Sequence, residues 1–200
     1  MGGLAVLFLL SIYIVIIVVL VIKVKGLPYK AVALLVMLLI PTADAIYGRY
    51  KLKQMCAAEA GLKVYRVAHG VEGFMGYADE GMLIKHGYQF VEEKNSPNYY
   101  RLSKQNGQII REDYVTPRSK YRLKQTSDDE GVYRRSQYLI EDITIGEILA
   151  TDTRLTFKGG WVERFLAQFS DAGIGNVAWC SDNPYPEVRI ENLITNTLKH

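Results

Sequence analysis

Three histidines, two tryptophans and two cysteines are all that 200 residues contain of those types. His69, His86 and His200 have no H-x-x-x-H spacing, so histidine by itself offers no zinc site. Cys56 and Cys180 form no C-x-x-C pair, which removes the usual support for thioredoxin-like exchange. G-x-S-x-G, P-loop and kinase signatures are missing as well. No catalytic residue, metal site or cofactor is therefore indicated, and the first expectation is a protein that is not an enzyme.

Charge is scarce at one end of the chain only. Residues 1–48 hold Lys23, Lys25, Lys30 and Asp44. Removing these from 24 basic and 21 acidic residues leaves 21 and 20 in residues 49–200, a balance of +1. So neutral a polar part lacks the electrostatic footprint of a nucleic-acid binder. The interleaved basic and aromatic stretches "YRLKQ" and "YRRSQY" read instead as alternating faces of strands. "SDDEG" (127–131) lacks the alternating oxygen ligands of a calcium loop and reads as a solvated turn. "GIGNVA" (173–178) fits the loose dinucleotide fingerprint, but it follows an apparent helix where the fingerprint needs a strand.

What the charge-poor end does have is length. Leu4 to Ile22 is an uninterrupted uncharged stretch of 19 residues, which as a helix covers roughly 28 Å, the thickness of a bilayer core. A second segment, 31–48, is purely apolar for about thirteen residues and reaches spanning length only if it continues through Pro41 and Asp44 to Tyr47. The reading is a transmembrane hairpin over 1–48 with Asp44 and Arg49 as a polar pair at its exit. The triplet Ala43-Asp44-Ala45 keeps a second possibility open, cleavage after Ala45. Lys23, Lys25 and Lys30 put the connection in the cytoplasm and both ends outside, while Arg49, Lys51 and Lys53 pull the other way. Outside, Cys56 and Cys180 are natural disulfide partners; in the cytoplasm they are two unrelated buried thiols.

Residues 49–200 read as a β-rich domain. "GRYKLKQMCAAEAG" is helical, with Gly61 as its C-cap. "LKVYRVAHG", "GYQFVEE", "NYYRLS" and "GQIIREDYV" are short strands, and a long hairpin has arms at 136–142 and 147–157 around Ile143 to Gly146. Gly159 and Gly160 suit a tight corner into a last helix that carries Trp161, Phe165 and Phe169 on one face. The fold class expected is α+β: a two-helix transmembrane hairpin, then a mainly antiparallel domain with short flanking helices.

"DAIYGR", "CAAEAGLKVY", "IEDITIGEIL" and "FKGGWVERF" followed by "AWC" resemble an arrangement in a group of small, uncharacterised bacterial membrane proteins. The resemblance implies a retained membrane anchor and a bacterial source, and nothing catalytic. It directs attention to Asp44, Gly48, Arg49, Cys56, Gly61, Tyr65, Gly159, Gly160, Trp161 and Cys180. Together these readings lead to an inner-membrane, multi-pass protein with a periplasmic domain that acts by binding, as an accessory subunit, interaction module or immunity-type protein. Its expected partners are the lipid bilayer and another membrane or envelope protein. The alternative is a membrane-tethered enzyme with a site near the membrane exit.

Overall fold

The computed structural model describes residues 2–113, 115–167, 178–180 and 185–200. Chain contacts divide it into two units, one built from residues 1–58, 129–134 and 155–180, the other from 59–128, 135–154 and 181–200.

The first unit begins with α1 (Gly2–Lys23), in which no charge appears before Lys23. Gly26, at φ 92°, allows the chain to turn at once into α2 (Leu27–Glu59). The Tyr13 hydroxyl donates to the Met37 carbonyl and ties the two helices together. The stretch read as a separate basic helix is simply the continuation of α2, which ends at Glu59 just before Gly61 takes a left-handed φ of 92°. The two parts of α2, Leu27–Met37 and Thr42–Glu59, meet at 56°. The break falls between Met37 and Thr42. That break divides the apolar length of α2. Among the described residues no single helix is long and apolar enough to cross a membrane, and the two parts of α2 satisfy the requirement only together. A helical pair is therefore observed where two spans were expected, without a clear two-span transmembrane hairpin.

The remainder is mixed α+β with one large, mostly antiparallel sheet. Its path is β1 (Gly61–Val64), β8 (Glu147–Phe157), β7 (Tyr133–Asp142), β6 (Tyr121–Glu130), β2 (Gly73–Met75), β3 (Phe90–Asn95), β4 (Asn98–Gln105), β5 (Gln108–Asp113), with β9 (Ala178–Cys180) also on β8. The hairpin predicted from "IEDITIGEIL" is present, with its turn at 143–146 closed by the Gly146 N–H donating to Asp142 O at 2.8 Å. "SDDEG" is no free turn: residues 127–130 finish β6 and only Gly131 begins the loop. β2 is the exception to antiparallel pairing. It runs parallel to β3 and to β6, and α3 (Glu80–Lys85) lies in the crossover from β2 to β3.

In the second unit the core is Phe74, Met82, Leu83, Val91, Ile140, Leu149 and Ala150 under α5 (Pro186–Thr197), which contributes Ile190, Leu193 and Ile194. Pro186 starts this helix, as its fixed φ and missing N–H favour. The sequence reading places no helix here, because "NPYP" reads as a breaker, although its last residue, Pro186, is the first of the helix. α5 also brings Arg189 against Asp152; both are buried, and the Arg189 Nε donates to Asp152 Oδ2 at 2.7 Å. The last expected helix is described as α4 (Trp161–Ala167). Phe169 and, apart from Ala178, all of "GIGNVA" lie outside the described residues.

Candidate functional site

The residues singled out at the exit of the second apolar segment converge with those of "FKGGWVERF" in the first unit. β8 ends at Phe157, and Gly159 (φ 93°) and Gly160 turn the chain into α4. A Cβ on Gly48 would lie 2.2 Å from Cζ of Phe157, so the phenylalanine ring lies directly on the α2 backbone where Gly48 has no side chain. The Tyr133 hydroxyl donates to the Gly48 carbonyl at 3.2 Å on the same stretch. What Gly48 admits is a strand side chain.

α4 begins with a shared cap. Gly160 stands at the N-cap and has no side-chain acceptor, so the first N–H groups of α4 need partners from elsewhere. Glu163 reaches back to accept from Gly160 N at 2.9 Å, half of a capping box. Asp44 Oδ2 accepts from Trp161 N, so a carboxylate on α2 supplies the cap that glycine cannot. Gly160 is required in turn by its surroundings, since a Cβ there would lie 2.7 Å from Asp44 Oδ1 and 2.8 Å from the Ala45 Cβ. Arg49 pairs with Glu163. Asp44 and Arg49 therefore do not bond each other; both hold α4. Asp44 Oδ1 is buried and has no hydrogen-bond partner. Trp161, expected on a buried face, is half exposed.

A second tie lies close by in the chain. Cys56 and Cys180 form a disulfide across 124 positions, with Cα atoms 5.8 Å apart. It joins α2 to β9, whose Cys180 pairs with Leu155 of β8. Leu52, Tyr133, Leu155 and Phe157 pack as a small buried cluster with Met55 and the two cysteines against it. Chemically the site is a clamp: a carboxylate cap, an ion pair, a ring-on-glycine contact and a covalent bond. Among the described residues no group of three or more His, Cys, Asp or Glu side chains could hold a metal ion.

Sequence reasoning missed the most heavily bonded carboxylate in the second unit. Glu92, on β3, is fully buried and pairs across the strands with Arg101 on β4. Arg101 Nε donates to its Oε1 at 2.9 Å, and the backbone N–H groups of Arg118 (3.2 Å) and Ser119 (3.0 Å) donate to its Oε2. Burial pushes the Glu92 carboxyl up, but the bonds from Ser119, Arg101 and these amides outweigh it and hold the group below its ordinary value. Phe90 lies under both Arg118 (4.1 Å) and Arg101 (5.5 Å). Elsewhere, Tyr88 donates to Leu198 O at 2.6 Å, and burial raises its hydroxyl to about 12. These groups fasten loops and the C-terminal helix to the sheet.

Compared with family models, with curated proteins and with solved structures, the chain finds no match.

Proposed function

We propose that this is a multi-pass protein of the bacterial inner membrane, anchored by α1 and α2, which holds residues 49–200 on the periplasmic side and acts there by binding another envelope or membrane protein. The observation that carries the reading is the apolar surface of the two helices. Phe8, Ile22, Leu27, Val32, Leu35 and Ile46 are each more than half exposed. Such a run of large apolar side chains is costly in water and favourable in lipid. The Cys56–Cys180 bond supports the periplasmic side, because disulfides persist in oxidising compartments. The clamp of Asp44, Arg49 and the disulfide suits an anchor that must carry a domain in a set way, and asks for no chemistry.

Two measurements on cells test this. Membranes washed with carbonate should retain the full 22.6 kDa chain, and detergent should release it. A soluble chain, or a shorter one cut after Ala45, would defeat the anchoring. A membrane-impermeant maleimide should label intact cells only after reduction, and labelling should become independent of reduction in Cys56→Ser and Cys180→Ser. Free thiols that appear only on lysis would put residues 49–200 in the cytoplasm.

A further inference from the structure

The second part of α2, Thr42–Glu59, has two unlike faces. Gly48 and Leu52 are buried, and Met55 and Cys56 half-buried, against Phe157, Leu155 and Cys180. On the opposite face Ile46, Tyr47 and Tyr50 are 61%, 66% and 61% exposed, and exposed Lys53 and Gln54 continue the stripe one turn further. Between Asp44 and Glu59 the chain has no acidic residue, but it has Arg49, Lys51 and Lys53. Arg49 is engaged by Glu163, and Lys51 stands 5.5 Å over the Tyr133 ring. α4 adds Trp161, 51% exposed, whose backbone N–H donates to the Asp44 carboxylate. That bond holds the indole beside the start of the exposed stripe.

The length of α2 sets the depth of these side chains. With Leu27–Met37 along the bilayer normal, the helix rises about 22 Å from Leu27 to the end of the break. From Thr42 to Tyr47, inclined at 56°, it rises about 5 Å more. The sum of about 27 Å is close to the roughly 30 Å thickness of a hydrocarbon core. A helix that starts at one headgroup layer at Leu27 therefore reaches the other at Tyr47. There it is inclined further than spanning helices ordinarily tilt. Tyrosine and tryptophan suit that depth, because each has an apolar ring and a polar tip. An apolar and aromatic face flanked by lysine is what a helix in the lipid interface presents, and the lysines suit anionic headgroups.

We propose that Ile46, Tyr47, Tyr50 and Trp161 form a collar seated in the headgroup layer of a phospholipid bilayer, with Lys53 at its outer edge. The proposal rests on the reading of α1 and α2 as a membrane anchor and adds a further contact: α4, from the polar part of the chain, also lies on the lipid. Trp179 serves as an internal control. It precedes Cys180, which is bonded to Cys56, and Cys56 lies about 10 Å further from the hydrocarbon than Asp44 along the inclined helix. Trp179 is also 51% exposed, so exposure alone does not separate the two indoles.

These two are the only tryptophans in the chain, so fluorescence reads the collar directly. The full chain is reconstituted into vesicles of phosphatidylcholine and phosphatidylglycerol in equal parts. The phosphatidylcholine is unlabelled, brominated near the carbonyl end of its acyl chains, or brominated near their tail end. In Trp179→Phe, the remaining Trp161 should emit to the blue of Trp179 in Trp161→Phe. It should lose emission to the carbonyl-end bromines more than to the tail-end ones, and resist quenching by acrylamide. Trp179 should be quenched by acrylamide and hardly by either lipid. If Trp179→Phe does not fold, the native chain compared with Trp161→Phe gives the same difference. Equal behaviour of the two indoles in vesicle-bound chain would overturn the collar and leave the anchor standing. So would a Trp161 shielded from acrylamide but untouched by brominated lipid, since a protein surface would then cover it. A chain that does not float with the vesicles would overturn the anchor and the collar together.

Discussion

Gly48 has to be glycine because of an atom 109 positions away in the chain, the Cζ of Phe157. Gly48→Ala should therefore destabilise by about 1–3 kcal/mol through overpacking, and Phe157→Leu should recover part of that loss. Urea midpoints of the two single variants and the double variant measure it; strict additivity would refute the contact. Asp44 is tied in the same way to α4. Asp44→Ala should cost about 1 kcal/mol, as loss of a helix cap does. Glu92 offers a pH test with a definite sign. Its folded pKa lies below the ordinary 4.5, so the stabilisation is complete above that value and is lost as pH falls through the lower folded one. Thermal scans from pH 7 down to about pH 3 should show a steep loss of stability in the native chain and a shallower one in Glu92→Gln, which already lacks the charge. At this scale the sequence was legible in part. The spacing of "DAIYGR" and "FKGGWVERF" marks the positions without pairing them. Glu92 and Arg101 could have been found, since a turn centred on Ser96–Pro97 sets them opposite each other.

Among the elements, the β7–β8 hairpin and β4 and β5 could be read from alternation and turn residues alone. β2 could not, because three residues carry no period and its parallel partners are set by the crossover through α3. α5 escaped notice because its first residues look like a breaker, while its apolar face, Ile190, Leu193 and Ile194, has meaning only against the sheet. That helix provides the element-scale prediction. Arg189→Met leaves Asp152 buried and unpaired and should cost about 3–5 kcal/mol, whereas Asp152→Leu combined with Arg189→Met should cost much less. Chemical denaturation of the single and double variants decides between a coupled pair and two independent groups. In α2 the helix length was readable from the sequence, and the 56° angle between its two parts was not.

At the scale of the whole molecule, a disulfide that closes a 124-residue separation restricts the unfolded chain strongly. Its removal by reduction, or by Cys56→Ser, should cost about 4–5 kcal/mol in the chain-entropy model, read as a drop in melting temperature that reductant reproduces in the native chain only. The chain's own order of residues determined several things directly: an apolar end and a neutral polar part, the α+β class, the long hairpin and the availability of two cysteines for one bond. Each depends on composition or on a period of two or 3.6, which neighbours along the chain express by themselves. Tertiary structure alone decided that Asp44 caps α4, that Gly48 receives Phe157 and that Glu92 is buried with Arg101. Those contacts join segments up to 117 positions apart, and no local pattern encodes which distant partner a side chain will meet.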